Sequence, residues 1–156
     1  MQGARAMAVT VASLMTPEPV VVDAATDVLV CARLMESREI GTVGVVLDGR
    51  LSGVLTDRDI VTRAVARDRD PRPIPVAELA TADVITVPGD ATVEEAEERM
   101  TKHAVRRLFV VDDEGHPVGI ISADDLTAFR YPNSVVAEQI GEWGLGLSDQ
   151  GLTGHG

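Results

Sequence analysis

Two segments of this chain carry residue types and spacings that could recognise a ligand. They are Gly53-Val54-Leu55-Thr56-Asp57-Arg58-Asp59 and Gly119-Ile120-Ile121-Ser122-Ala123-Asp124-Asp125. Both read glycine, two apolar residues, a hydroxyl, two variable residues and aspartate. The apolar stretch predicts a strand, and the acidic end predicts the first turn of a helix. At such a junction Thr56 or Ser122 could accept from helix N–H groups or face a ligand. Asp59 or Asp125, one turn on, could accept from both hydroxyls of a ribose. Backbone N–H groups at a helix start favour anions. A simpler role is also open: Thr56 and Ser122 as plain N-caps, with Asp59 and Asp125 as first-turn acids. Recurrence of the motif at matching places favours the ligand reading.

The elements that must position these residues occur twice. A shift of 65 residues sets Leu14 on Leu79, Val20 on Ile85, Val28 on Val93, Met35 on Met100, Ile40 on Val105 and Val45 on Val110. One inserted residue near Gly115 changes the shift to 66, which sets Gly53 on Gly119, Thr56 on Ser122 and Asp59 on Asp125. Each copy spans roughly 55 residues, and such internal similarity marks a repeated supersecondary unit.

Within each copy a short apolar strand (Val20–Val22, Val84–Val87) precedes a helix. In the second helix Val93, Ala96 and Met100 share one face. Thr92, with Glu95 three residues later, predicts a capping box. Val28, Ala32 and Met35 make the equivalent stripe in the first copy. Two strands follow, turning at Asp48-Gly49 and at Asp112–Gly115. A second helix starts near Asp57 and near Ala123. The expected fold is α/β: two pseudo-symmetric β-α-β-β-α repeats forming one module. The expected organisation is repeat 1 over 8–70, a proline-rich linker over 71–75, repeat 2 over 76–131, and a short C-terminal helix with a Gly-rich tail over 132–156. That last helix is expected from Ser134 to Trp143, with the tail from Gly144.

Composition narrows the function. Aromatic residues make up only 3% of the chain, so branched aliphatics must fill the core. The formal net charge of −11 argues against binding a phosphate backbone without a local basic cluster. The single cysteine, Cys31, cannot form an internal disulfide and is expected as buried packing. His103, His116 and His155 lack metal-ligand spacing, and no metal is expected. No apolar run approaches the roughly 18 residues a membrane helix needs, and Met1–Thr10 does not read as a signal peptide. A cytoplasmic protein is expected, with neither a membrane nor a nucleic-acid partner. No Ser-His-Asp set, Cys-His set or phosphate-binding Gly-Lys loop is present, so no enzyme is expected.

Leu-Met-Thr-Pro at Leu14–Pro17, the segment Gly53–Asp59, and Val-Arg-Arg-Leu-Phe-Val-Val-Asp at Val105–Asp112 together resemble a tandem CBS-domain pair, or Bateman module. The resemblance covers about Val11 to Arg130. Thr-Asp-Arg-Asp-Ile and Tyr-Pro-Asn-Ser make the chain similar to small stand-alone bacterial CBS proteins of the hypoxic-response type.

The resemblance implies a pseudo-two-fold pair with two clefts. It implies that Thr56 and Asp59 share a cleft with Ile85 and Val105, and that Ser122 and Asp125 share one with Val20 and Ile40. It also implies phosphate contacts from Arg106 and Arg107, facing the Thr56–Asp59 cleft; the matching Gly41 and Thr42 are uncharged. Many relatives have proline where this chain has Gly44 and Phe109, so a looser wall and a narrowed cleft are expected there. The implied function is regulatory: binding of AMP, ADP or ATP, with no cofactor required, and signalling to an unknown partner protein. The alternatives are an S-adenosylmethionine sensor and a ligand-free dimerisation or protein-interaction module. A homodimer is implied, with Val61, Ala64 and Val65 as an apolar stripe on a helix face.

Overall fold

Switches from two-residue alternation to helical periodicity set the element boundaries. The computed structural model describes residues 9–133. The predicted helix from Ser134 to Trp143 and the tail from Gly144 lie outside the described residues. In chain order the elements are α1 (Val11–Leu14), β1 (Thr16–Pro17), β2 (Val21–Asp23), α2 (Val28–Arg38), β3 (Thr42–Leu47), β4 (Arg50–Thr56) and α3 (Asp57–Arg63). A 3₁₀ turn at Val65–Arg67 follows. Then come α4 (Val76–Leu79), β5 (Thr86–Pro88), α5 (Val93–His103), β6 (Arg107–Val111), β7 (Pro117–Ser122) and α6 (Ala123–Arg130). The β-α-β-β-α order holds in both copies, as the pattern of residues predicted.

The chain divides into two units. Among the described residues, one contains 20–84 and the other contains 9–19 with 85–133. In the first unit β2 pairs parallel with β3, and β3 pairs antiparallel with β4. The hairpin turns at Asp48 and Gly49, with φ 54° and 80°, the positive pair that matches the twist of a two-residue hairpin. Val28, Cys31 and Met35 of α2 pack on Val43, Val45 and Leu55 of the sheet. Each such side chain, fully buried, contributes about 1.5–3 kcal/mol. Burial pushes the Cys31 thiol up to about 11, so it is a packing residue and not a thiolate nucleophile.

The second unit repeats this plan with β5, β6 and β7, and adds β1 beside β7. Its core joins Val93, Ala96 and Met100 to Leu108, Val110 and Ile121. Register slips by one residue at Val45/Val46 and at Val110/Val111, equivalent positions of the two repeats. Gly44 lies inside β3, and Phe109 is buried but faces away from Leu108 and Val110.

The leading turn of each repeat is built into the unit that holds the other repeat's main sheet. Val11 of α1 is fully buried in the second unit, and its N–H donates to the Ala91 carbonyl at 2.9 Å. Thr16 and Pro17 pair with Ile120 and Gly119. Equivalently, Val76 of α4 donates to the Thr26 carbonyl at 2.7 Å in the first unit, and Thr81 bridges to Val54. The proline-rich stretch ahead of α4 is anchored there too: Ile74 is buried, and its carbonyl accepts from Val28 N–H at 2.9 Å.

Candidate functional site

Each hydroxyl–aspartate motif closes a reciprocal capping box. Thr56 is extended (φ −107°, ψ 162°) where β4 meets α3, and Ser122 matches it (φ −110°, ψ 161°) where β7 meets α6. Thr56 Oγ1 accepts from Asp59 N–H at 3.1 Å, and Asp59 Oδ2 accepts from Thr56 N–H at 2.9 Å. Ser122 Oγ and Asp125 Oδ2 do the same at 3.1 and 2.8 Å. The capping role is therefore real at both sites. It uses one oxygen of each carboxylate and leaves the other for a further partner. At Thr92 only half of the expected box forms: the hydroxyl accepts from Glu95 N–H at 3.2 Å.

The glycine that opens each motif is set by packing. A Cβ on Gly119 would stand 2.3 Å from Met15 Sδ and 3.0 Å from the Thr16 carbonyl. At Gly53 the nearest atom would be the Thr81 carbonyl at 3.2 Å. The leading turns thus lie directly on the strands that present the hydroxyl and the aspartate.

Strand polarity collects the remaining candidates. β2 and β3 start, and β4 ends, at one edge of the first sheet. Val20 immediately precedes β2, and its carbonyl accepts from Gly44 N–H at 2.9 Å. Ile40 immediately precedes Gly41, whose carbonyl accepts from Asp57 N–H at 3.0 Å. Thr42 pairs with Thr56. This edge, the first rim, therefore gathers Val20, Ile40, Thr56 and Asp59. The second rim gathers Ile85, Val105, Arg106, Arg107, Ser122 and Asp125. There Arg107 pairs with Ser122 across the strands, and the Arg106 carbonyl accepts from Ala123 N–H at 2.8 Å. Within a unit, each motif meets the apolar pair of its own repeat. The two arginines, expected to face the Thr56–Asp59 cleft, stand within their own unit beside Ser122 and Asp125.

The two rims differ in charge. Asp59 faces Arg63 at 3.5 Å. The same guanidinium donates to the Leu79 carbonyl at 2.7 Å and to Thr81 Oγ1 at 3.2 Å. Phe129 takes Arg63's place in the second repeat, and Asp125 makes no ion pair among the described residues. Burial raises the Asp125 carboxyl above its ordinary value, against hydrogen bonds from Ser122 and the charge of Arg107. Arg106 reaches Asp124 at 3.2 Å with three-quarters of its side chain exposed. At the equivalent point of the first rim, a Cβ on Gly41 would stand 3.2 Å from Asp57 Oδ2.

Arg63, Asp57 and Asp124 were missed by the sequence reading. The four-residue step from Asp59 to Arg63 was the available signal for the first of them. Among the described residues, no cluster of three or more His, Cys, Asp or Glu could hold a metal ion. Nor is any helix long and apolar enough to cross a membrane.

The family model of the CBS domain matches residues 11–66 and 76–131. The chain belongs to the CBS-domain family. This CBS pair is 36% identical over 102 residues to CBS domain-containing protein YhcV of Bacillus subtilis, covering 65% of this chain and 71% of YhcV. It is 34% identical over 106 residues to Hypoxic response protein 1 of Mycobacterium tuberculosis, covering 67% and 73%. A crystal structure of Hypoxic Response Protein I with two coordinated zinc ions matches the CBS pair with a TM-score of 0.69 at 31% identity, over 76% of this chain and 97% of that one. CBS domain protein PAE2072 from Pyrobaculum aerophilum, complexed with AMP, matches with a TM-score of 0.67 at 28% identity, over 75% and 89%.

Proposed function

We propose that this CBS pair is a regulatory module that binds an adenine nucleotide (AMP, ADP or ATP) and signals to a partner protein without catalysing a reaction. The carrying observation is the repeated rim: a capped hydroxyl and an aspartate with one oxygen outside the cap, beside an apolar pair, that oxygen facing Arg63 at Asp59 and making no ion pair at Asp125 among the described residues. Val20, Ile40, Thr56 and Asp59 supply it once; Ile85, Val105, Ser122 and Asp125 supply it again. The leftover carboxylate oxygen is the acceptor a ribose diol needs. Arg106 and Arg107 supply donors for phosphate, the strong charge-assisted kind. Similarity to a CBS protein complexed with AMP supports the same ligand class. The module acts in the cytoplasm as a homodimer, with the exposed Val61 and Val65 turned to the second copy.

A second reading has its own support. Both aspartates already work as caps, which is sufficient reason for their presence in a ligand-free interaction module. Thermal denaturation with adenosine, AMP, ATP and S-adenosylmethionine separates the two. A ligand at about 100 times its dissociation constant adds about 2.7 kcal/mol to stability. A rise with AMP or ATP is expected. A rise with S-adenosylmethionine alone makes it a sensor of that compound, and no rise with any of the four leaves the interaction module.

A further inference from the structure

We propose that the two rims take different adenosyl ligands. The second rim takes the form carrying a 5′-phosphate, and the first takes an adenosyl compound whose 5′ substituent bears no negative charge. This rests on the adenosyl reading above and assigns a ligand class to each half of it.

Six equivalent positions carry the argument. Gly41 and Thr42 of the first repeat stand where the second has Arg106 and Arg107. Asp57 and Arg58 stand where the second has Ala123 and Asp124, and Asp59 and Arg63 where it has Asp125 and Phe129. Both sets sum to zero formal charge, Arg58 and Arg63 adding cations to the first rim, so the rims differ in where the charges stand and not in their total. On the second rim two guanidinium groups flank the motif. The Arg106–Asp124 pair is exposed, and exposed pairs are weak enough for a phosphate to replace. Arg107 lies close enough to Asp125 to lower its proton affinity, and Asp125 keeps one oxygen free of any ion pair.

On the first rim the space of the missing arginine side chain is taken by a carboxylate. Asp57 Oδ2 lies 3.2 Å from where a Gly41 Cβ would start. Its Oδ1 accepts only from Arg58 N–H at 2.8 Å, and Asp57 makes no ion pair among the described residues. A phosphate seated there would meet a like charge. Of the two cations of α3, Arg63 is engaged by Asp59, the Leu79 carbonyl and Thr81, while Arg58 stands where the second rim has the acid Asp124. A neutral or cationic 5′ group meets no such opposition and gains from Asp57.

Calorimetric titration of the full chain with AMP and with adenosine tests this, using Asp59→Asn and Asp125→Asn. Each asparagine keeps an oxygen to accept the capping hydrogen bond while removing the charge, and circular dichroism checks the fold. AMP binding is expected to weaken at least about tenfold in Asp125→Asn and to change less than about twofold in Asp59→Asn. Adenosine binding should persist in Asp125→Asn and be lost when both changes are combined. Gly41→Arg with Asp57→Ala should create a second AMP site. Loss of AMP binding in Asp59→Asn but not in Asp125→Asn overturns the rim assignment, with the arginines then serving the other motif. Equal affinity of both rims for AMP overturns the selectivity. In either case the adenosyl reading survives. Absence of heat with both compounds, together with no thermal shift, removes the adenosyl reading itself.

Discussion

Ser122 and Asp125 exchange two hydrogen bonds: Asp125 N–H donates to Ser122 Oγ at 3.1 Å, and Ser122 N–H donates to Asp125 Oδ2 at 2.8 Å. The pair closes the start of α6 and holds the carboxylate at the rim. One carboxylate thus serves both the fold and the candidate site, and a substitution can separate the two roles.

Asp125→Ala removes the reciprocal acceptor and should cost about 0.5–2 kcal/mol, the range for a lost cap. Asp125→Asn should cost much less at neutral pH. The sign of its pH dependence follows from burial. The folded chain holds the Asp125 proton above the ordinary value of 3.8. Its contribution to stability is therefore full below that value and is lost as pH rises through the raised folded value. The asparagine does not titrate, so its stability relative to the parent should climb as pH rises from 4 towards neutrality. Thermal melts of both proteins across this range measure it, and a parallel pair of curves would contradict a raised Asp125.

Gly119→Ala should destabilise by about 1–3 kcal/mol, because the new methyl group meets Met15 and the Thr16 carbonyl. Gly53→Ala has more room and should cost less. Met15→Ala combined with Gly119→Ala should recover part of the loss, since the two share one space. Urea denaturation of the parent, Met15→Ala, Gly119→Ala and the double variant gives the cycle; strict additivity would show that the leading turn does not press on the motif strand.

Ala104 ends α5 in the left-handed region, with φ 54°. A side chain there is strained, whereas glycine is not. Ala104→Gly removes left-handed strain of roughly 1–2 kcal/mol, which exceeds glycine's entropic cost of roughly 0.5–1 kcal/mol, so it should stabilise and raise Tm by roughly 2–4 °C per kcal/mol. A lower Tm would show that the strain is absorbed elsewhere in the turn leading to Val105 and Arg106.

The proposed homodimer makes a further test. Val61 and Val65 are 56% and 61% exposed, while Ala64, expected in the same stripe, is fully buried in its own unit. Of that stripe, only the two valines are therefore exposed to a second copy. Light scattering should give a mass well above 16.5 kDa at micromolar concentration, and Val61→Lys should lower it towards that value. A parent mass of 16.5 kDa sinks the proposal.

Local chemistry was the legible part of this fold. Val93, Ala96 and Met100 announce their helix face by spacing alone, and Asp48-Gly49 announces its hairpin. Ser122 and Asp125 are legible only as an N-cap and a first-turn acid; that they close a reciprocal box appears in the structure, while the box expected at Thr92 and Glu95 forms only in half. What stayed hidden depends on partners distant in sequence. Nothing in Val76–Leu79 says that it packs beside Ala24 and Thr26. The contact of Asp57 with Gly41 joins a loop to a helix start across an entire hairpin. Arg63 shows its link to Asp59 by spacing, yet its bond to the Leu79 carbonyl needs the fold.

The placement of α1 and α4 bears on how the chain is made. The first sheet is synthesised well before Val76, but its core lacks Val76 and Leu79 until they leave the ribosome. Val11 emerges earliest, and its burial site, among Val87, Ala91 and Leu108, is among the last to exist. An isolated first repeat would therefore expose two unfinished surfaces, its own core and the apolar turn meant for its sister. Two such fragments could complete one another by exchanging turns. Duplication of the repeat within one chain turns that encounter between molecules into an internal one, independent of concentration.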